Sequence, residues 1–170
     1  FKFVMEMEGY EFSDALKRLA ARAGVLLKRE DPRVKSERNL LYEINEAAAG
    51  IFSKTLSATP TVRSYLRKRG VMDETINNFR IGFVPQSWDF LLKSLGRARY
   101  TPADIEKAGL ALKTERGTYW DRFRARVMFP IHNQVGKVVA FTGRILPWND
   151  STNVGKYVNS PETPIFQKSK

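Results

Sequence analysis

Cysteine is missing from all 170 residues, and histidine occurs once, as His132. A disulfide framework is therefore excluded, as is a Cys/His zinc site built from this sequence alone. His132 follows Pro130 by two residues at the mouth of an expected hairpin, where a lone imidazole is ordinary surface, and it is assigned no role. Long apolar runs are missing too. Nothing approaches the roughly eighteen residues that cross a bilayer, and the N-terminus lacks the pattern of a secretory signal. A cytoplasmic chain without membrane contact is the expectation. There is no glycine-rich P-loop, no Ser/His/Asp set, and the later acids Asp121, Asp150 and Glu162 are too scattered to form a paired-carboxylate site for metal-assisted phosphoryl transfer. No catalytic residue and no metal ligand can be named.

Positive charge is plentiful. Lys and Arg number 29 against 18 Asp and Glu, a formal net charge of +11 with a pI near 10.0, which is a standing attraction for polyanions, nucleic acid foremost. An anionic membrane surface fits less well, because the basic residues are not gathered on one amphipathic helix. With 42% hydrophobic and 28% charged residues, one main globular core is expected. The chain opens at Phe1 in mid-pattern, so a piece of a longer polypeptide is expected.

The first half reads as short helices. "SDALKRLAARAGV" has Ser13 as a cap, apolar residues at helical spacing and Gly24 as a stop. The charged "LLKREDPRVKSER", with Pro32, reads as a linker and boundary. Residues 36–56 hold the longest helical period. "TPTVRSYLRKRG" ends on Arg67, Lys68, Arg69 and Gly70; Asp73 and Ser87 are expected caps of the next two helices, and Thr101 with Pro102 starts another that stops at Gly109. The linking "FRIGFVP" is apolar and too short for a helix.

Beyond Gly109 the period drops to two. "LALKTERGTYWDRF" reads as a hairpin turning at residues 115–117, and "VMFPIHNQVGKVVAFTGRIL" as a second turning at residues 132–136. Helices first and strands later predict an α+β fold. The Pro-, Gly- and Asn-rich end is expected to be loop, with Lys156, Asn159 and Lys168 as candidate binding residues.

Between the hairpins stands "DRFRARVMFPI", residues 121–131. Read as a strand, it puts Arg122, Arg124 and Arg126 on one side and Phe123, Ala125 and Val127 on the other, with same-side residues about 6.6 Å apart. That comb suits the phosphates of an extended strand, since guanidinium binds phosphate oxygens in pairs and phosphate contacts carry no sequence information. The same pattern would also solvate the outer face of a sheet. Arg144 would join the comb if the flanking strands pair, and Tyr119, Trp120 and Tyr157 are candidates for base stacking or for the core.

The stretches "YWDRFRARVMFPI", "GKVVAFTGR" and "GKYVNSPETPIFQK" closely resemble, in order and spacing, the DnaG family of bacterial replicative DNA primases. "SYLRKRGV" and "NNFRIGFVPQSWDFLL" look like the same family's "YLxxRG" and "xFxIGFAPxxWDxL". Trp120, standing between Tyr119 and Asp121, is an insertion-like departure. The resemblance implies an enzyme that makes short RNA primers on single-stranded DNA. Residues 1–30 would be the end of a zinc-ribbon domain, and residues 31–170 the N-terminal subdomain of the RNA polymerase core. A Toprim subdomain carrying the catalytic acids would follow Lys170. On this view Arg69, Arg122, Arg124, Arg126, Arg144, Lys156, Asn159 and Lys168 fall on the family's basic ridge for template and nucleotide. Mg²⁺ and Zn²⁺ would belong to the full-length protein, with neither expected in this piece, which would not polymerise alone. Its partners would be template DNA, ribonucleoside triphosphates, the RNA primer and, through an absent C-terminal domain, the replicative helicase; a monomer is expected. The other reading of the same basic residues is a non-enzymatic module that binds single-stranded nucleic acid.

Overall fold

A computed structural model describes residues 2–4, 12–25, 32–149 and 155–168, and the side chains of residues 12–14 and 17 are left aside. Ser13, the expected cap, falls inside the first helix rather than before it, and the expected linker is helical from Pro32 onward, where proline is tolerated in a first turn; residues 26–31 and Asp150 lie outside what is described. The chain divides into two compact units, Phe1–Lys35 and Ser36–Lys170. In the first, α1 spans Phe12–Arg22 and stops at Gly24, whose φ of 67° is open to glycine without a steric cost. Helix α2 spans Pro32–Ser57.

In the second unit the helices form largely where local chemistry directs them. The buried residues of α2, Leu41, Ile44, Ala48, Phe52 and Leu56, recur every three or four positions and make one apolar stripe. Helix α3, Pro60–Lys68, starts on proline and is followed by Gly70 at φ 82°. Helix α6, Pro102–Lys107, opens on a full capping box: Thr101 Oγ1 accepts from the Asp104 N–H while the Asp104 carboxylate accepts from the Thr101 N–H. Two caps differ from expectation. Asp73 lies inside the first turn of α4, Asp73–Asn78, and pairs with Arg63 and Arg67 of α3 instead. Helix α5, Phe90–Arg97, has Asp89 rather than Ser87 at its cap position, with no capping bond from that side chain. A carboxylate thirty residues downstream does the work, as described below.

Among the described residues six strands follow the α+β expectation. β1 (Gly82–Val84), β4 (Arg126–His132), β5 (Val138–Ile145) and β6 (Tyr157–Asn159) make an antiparallel sheet in the order β1-β4-β5-β6, and β2 (Ala111–Lys113) pairs with β3 (Tyr119–Asp121) in a separate hairpin. Both expected turns are present, with Gly117 and Gly136 at φ 78°. β1 arises in the apolar "FRIGFVP", and β6 in a tail expected to be loop.

Both faces of the four-stranded sheet are covered near β1 and β4. On one, Val84, Met128 and Phe141 pack with Leu41, Ile44, Phe52, Leu91, Ile105 and Phe123; on the other, Phe83 and Val127 pack with Leu56, Val62, Leu66, Ile76 and Leu146. Gly82 lies hard against α2: a Cβ there would stand 2.4 Å from the Phe52 Cβ and 2.6 Å from its carbonyl carbon. Among the described residues no helix is long and apolar enough to cross a membrane.

Candidate nucleic-acid interface

The arginine comb is not a continuous strand. β3 ends at Asp121, β4 begins at Arg126, and residues 122–125 between them are irregular. The reason lies in how this backbone is anchored. The Asp121 N–H donates to the Trp88 carbonyl at 2.7 Å, the Arg122 N–H to Leu110 at 2.9 Å, and the Ala125 N–H to Pro85 at 3.1 Å, all outside any strand ladder. Ala125 takes φ 50°, a left-handed conformation that costs a side-chain-bearing residue energy. The in-and-out order survives nonetheless: Phe123 and Ala125 are buried while Arg122 and Arg124 reach the surface in part.

Asp121 is the post on which this segment turns. Its buried carboxylate accepts from the Leu91 N–H at 2.7 Å and the Leu92 N–H at 3.0 Å, so it satisfies two of the free amides at the start of α5. Burial pushes the Asp121 carboxyl above the ordinary range, and those two amides oppose the shift. Its backbone carbonyl accepts from Arg124 Nη1 at 2.6 Å.

The three arginines converge on one concavity of ≈ 600 Å³, lined among others by Trp88, Leu112, Arg122, Arg124, Arg126 and Val158. Arg122 Nε donates to the Asn159 carbonyl at 3.1 Å. The Arg124 guanidinium stands 4.0 Å from the centre of the Trp88 ring, within cation–π range. Burial lowers the ordinarily very high basicity of both guanidinium groups, the nearby Asp121 charge partly countering it at Arg124. Both stay cationic, and their partial loss of water makes an incoming anion a stronger partner than it would be in bulk solvent. Arg126 differs from its neighbours. It is 2% exposed, and its guanidinium donates to the carbonyls of Gly143 (3.2 Å), Lys156 (3.1 Å) and Gly155 (2.7 Å). It braces the floor and holds the tail.

Arg144 does not join this group, although β4 and β5 pair as expected. It lies in register with Val127 and Tyr157, on the sheet face opposite Arg126 and Gly143, and its guanidinium stands 5.6 Å from the Tyr157 ring centre. The Asn159 side chain, on that same face, accepts from Thr142 Oγ1. Lys156 is exposed, and its carbonyl accepts from Arg126 and from the Ile145 N–H. Lys168 is exposed at the tail, its N–H donating to Glu162 at 3.4 Å, and Arg69 is exposed where α3 closes. Sequence reasoning missed Trp88, which is 55% exposed and packs edge-to-face on Trp120 with 4.8 Å between ring centres. Its only local signal was a tryptophan standing in the polar turn before α5 instead of on the helix's apolar stripe.

Fold and site define a class: an α+β domain whose hairpin and sheet frame a basic, aromatic-rimmed cleft of the kind that takes a polyanion. Residues 51–170 match the DNA primase catalytic core, N-terminal domain, and the chain belongs to that family. A DNA primase of Halalkalibacterium halodurans is 43% identical over 180 residues, covering 100% of this chain and 29% of that protein. One of Deinococcus radiodurans is 42% identical over 171 residues, covering 100% and 28%. The chain thus spans under a third of the length of these relatives. Among solved structures, the DnaG primase catalytic domain bound to ssDNA superposes with a TM-score of 0.69 at 38% identity, covering 78% of this chain and 42% of that one. The zinc-binding and RNA polymerase domains of the Aquifex aeolicus primase give 0.69 at 26% identity, covering 98% and 40%.

Proposed function

We propose that this chain supplies one wall of the template and nucleotide groove of a DNA primase, the enzyme that lays down short RNA primers on single-stranded DNA. Residues 31–170 are the N-terminal subdomain of the polymerase core in this reading, and residues 1–30 the end of a zinc-ribbon domain. The observation that carries it is the convergence of Arg122 and Arg124 on one partly desolvated cleft, in a family with a member solved on single-stranded DNA.

Arg122 and Arg124 grip template phosphates, and Arg126 holds the floor beneath them. Arg144, Lys156, Lys168 and Arg69 extend the positive surface, with Asn159 as a neutral polar contact, toward template and ribonucleoside triphosphate on the other side of the sheet and along the tail. Family membership favours this core over a free-standing single-strand binding module. Among the described residues no group of three His, Cys, Asp or Glu is placed to hold a metal ion, so these residues do not fit a Mg²⁺ or Zn²⁺ site. The ions belong to other parts of the full-length enzyme, as does the helicase contact, and this chain does not polymerise alone. The zinc-binding domain named for the Aquifex relative supports that division.

Salt titration of single-stranded DNA binding tests the proposal. Neutralising two phosphates contributes about 1.4 to the log–log slope, at about 0.7 each, so R122A/R124A should weaken binding and flatten the slope by that amount. An unchanged affinity and slope would make the arginines ordinary surface.

A further inference from the structure

We infer that the outward face of the β2–β3 hairpin is a base-stacking wall, with Trp120 as the ring that receives an unpaired nucleobase of the strand whose phosphates lie on Arg122 and Arg124. The inference rests on the function proposed above and adds the contact that separates unpaired from paired nucleic acid.

The hairpin has two faces with different tasks. Ala111 and Asp121 are in register and buried, at 3% and 1% exposure, so that side is committed to the core and to the start of α5. Period-two alternation then turns the other pair, Leu112 and Trp120, outward. They are 41% and 46% exposed, and Trp88 meets Trp120 beside them. Single exposed apolar residues are ordinary; three that adjoin one another at the rim of an arginine-lined cleft make a patch left open to solvent.

Charge decides the occupant. A protein partner's apolar anchor would have to enter beside the half-buried Arg122 and Arg124, whereas a polynucleotide brings anionic phosphates and flat apolar bases together. In a duplex those base faces are already stacked, so only an unpaired strand can use the wall. Stacking on tryptophan accepts any base, which suits a site reading no sequence through its phosphate contacts.

The test compares a single-stranded thymidine oligomer with an abasic oligomer of equal length and charge, by fluorescence anisotropy at fixed salt. W120L keeps apolar bulk on a face where Leu112 already sits exposed, and W120F keeps a ring. W120L should weaken the thymidine oligomer about tenfold, leave the abasic oligomer unchanged, and keep the salt slope; W120F should restore most of the loss. An affinity of W120L for the thymidine oligomer within twofold of wild type, or an equal loss on both oligomers, would overturn the wall. The underlying reading fails separately, if R122A/R124A binds both oligomers as wild type does.

Discussion

Arg126 Nη2 donates to the carbonyl of Gly155 at 2.7 Å while its Nη1 serves Gly143 and Lys156, so one buried guanidinium ties β4 to β5 and to the entry of β6. A row of three arginines thus divides its labour: two face the cleft, and the third builds it.

Replacing that brace with a side chain of similar length and no donors, R126M, should cost about 2–4 kcal/mol, since charge-assisted bonds are lost and inward-facing carbonyls lose their donor. Urea unfolding would measure the loss. Hydrogen exchange should show residues 155–159 opening more readily, while α3 keeps its protection.

Acid should loosen the α3–α4 corner before the sheet. The Arg67 and Arg63 guanidinium groups hold the Asp73 carboxyl below the ordinary carboxylate range, and the Arg80 guanidinium does the same for Glu46. With the folded value depressed, the unfolded chain binds more protons in the acid window. The contribution is therefore whole above the unfolded value of about 4 and is lost as pH falls through the folded one. In D73N the acid limb of the stability profile should be shallower than in wild type, checked by thermal melts between pH 3 and pH 7.

At Ala125 the left-handed backbone is held by the Pro85 carbonyl on one side and the Leu146 N–H on the other. Glycine relieves the steric cost but frees the unfolded chain, so A125G should be neutral to about 1 kcal/mol more stable, and A125V should lose about 2 kcal/mol or more. Chemical denaturation of the two variants checks this: A125G should lose nothing, and a loss there as large as in A125V would contradict the strain at this backbone.

Gly82 offers a sharper contrast. A methyl group there meets the backbone of α2 rather than a flexible side-chain end, so G82A should cost about 3 kcal/mol by forcing β1 away from the helix. Alanine at Gly117, where nothing lies within 4 Å, pays only for its left-handed backbone. A smaller loss at Gly82 than at Gly117 would contradict this packing.

Features that depend on near neighbours were legible in the chain. Gly70, Gly109, Gly117 and Gly136 mark turns by their freedom at positive φ, Thr101 and Asp104 cap α6 within one turn, and the two hairpins follow from alternation. The cap of α5 was not legible, because its acceptor, Asp121, is brought there only by folding. β1 and β6 were hidden for the same reason, each being too short to declare a period and existing only by pairing with β4 or β5. Trp88 joined the site unseen because α5 and the hairpin meet in space alone.

By itself the sequence determined the charge, the alternation of arginine with apolar residues and the motif pattern, all carried in residue order. Only the tertiary structure decided which arginines share a cleft. A strand's two faces part Arg144 from Arg126 across the sheet, and long-range carbonyls claim one guanidinium while burial of Phe123 leaves Arg122 and Arg124 turned outward.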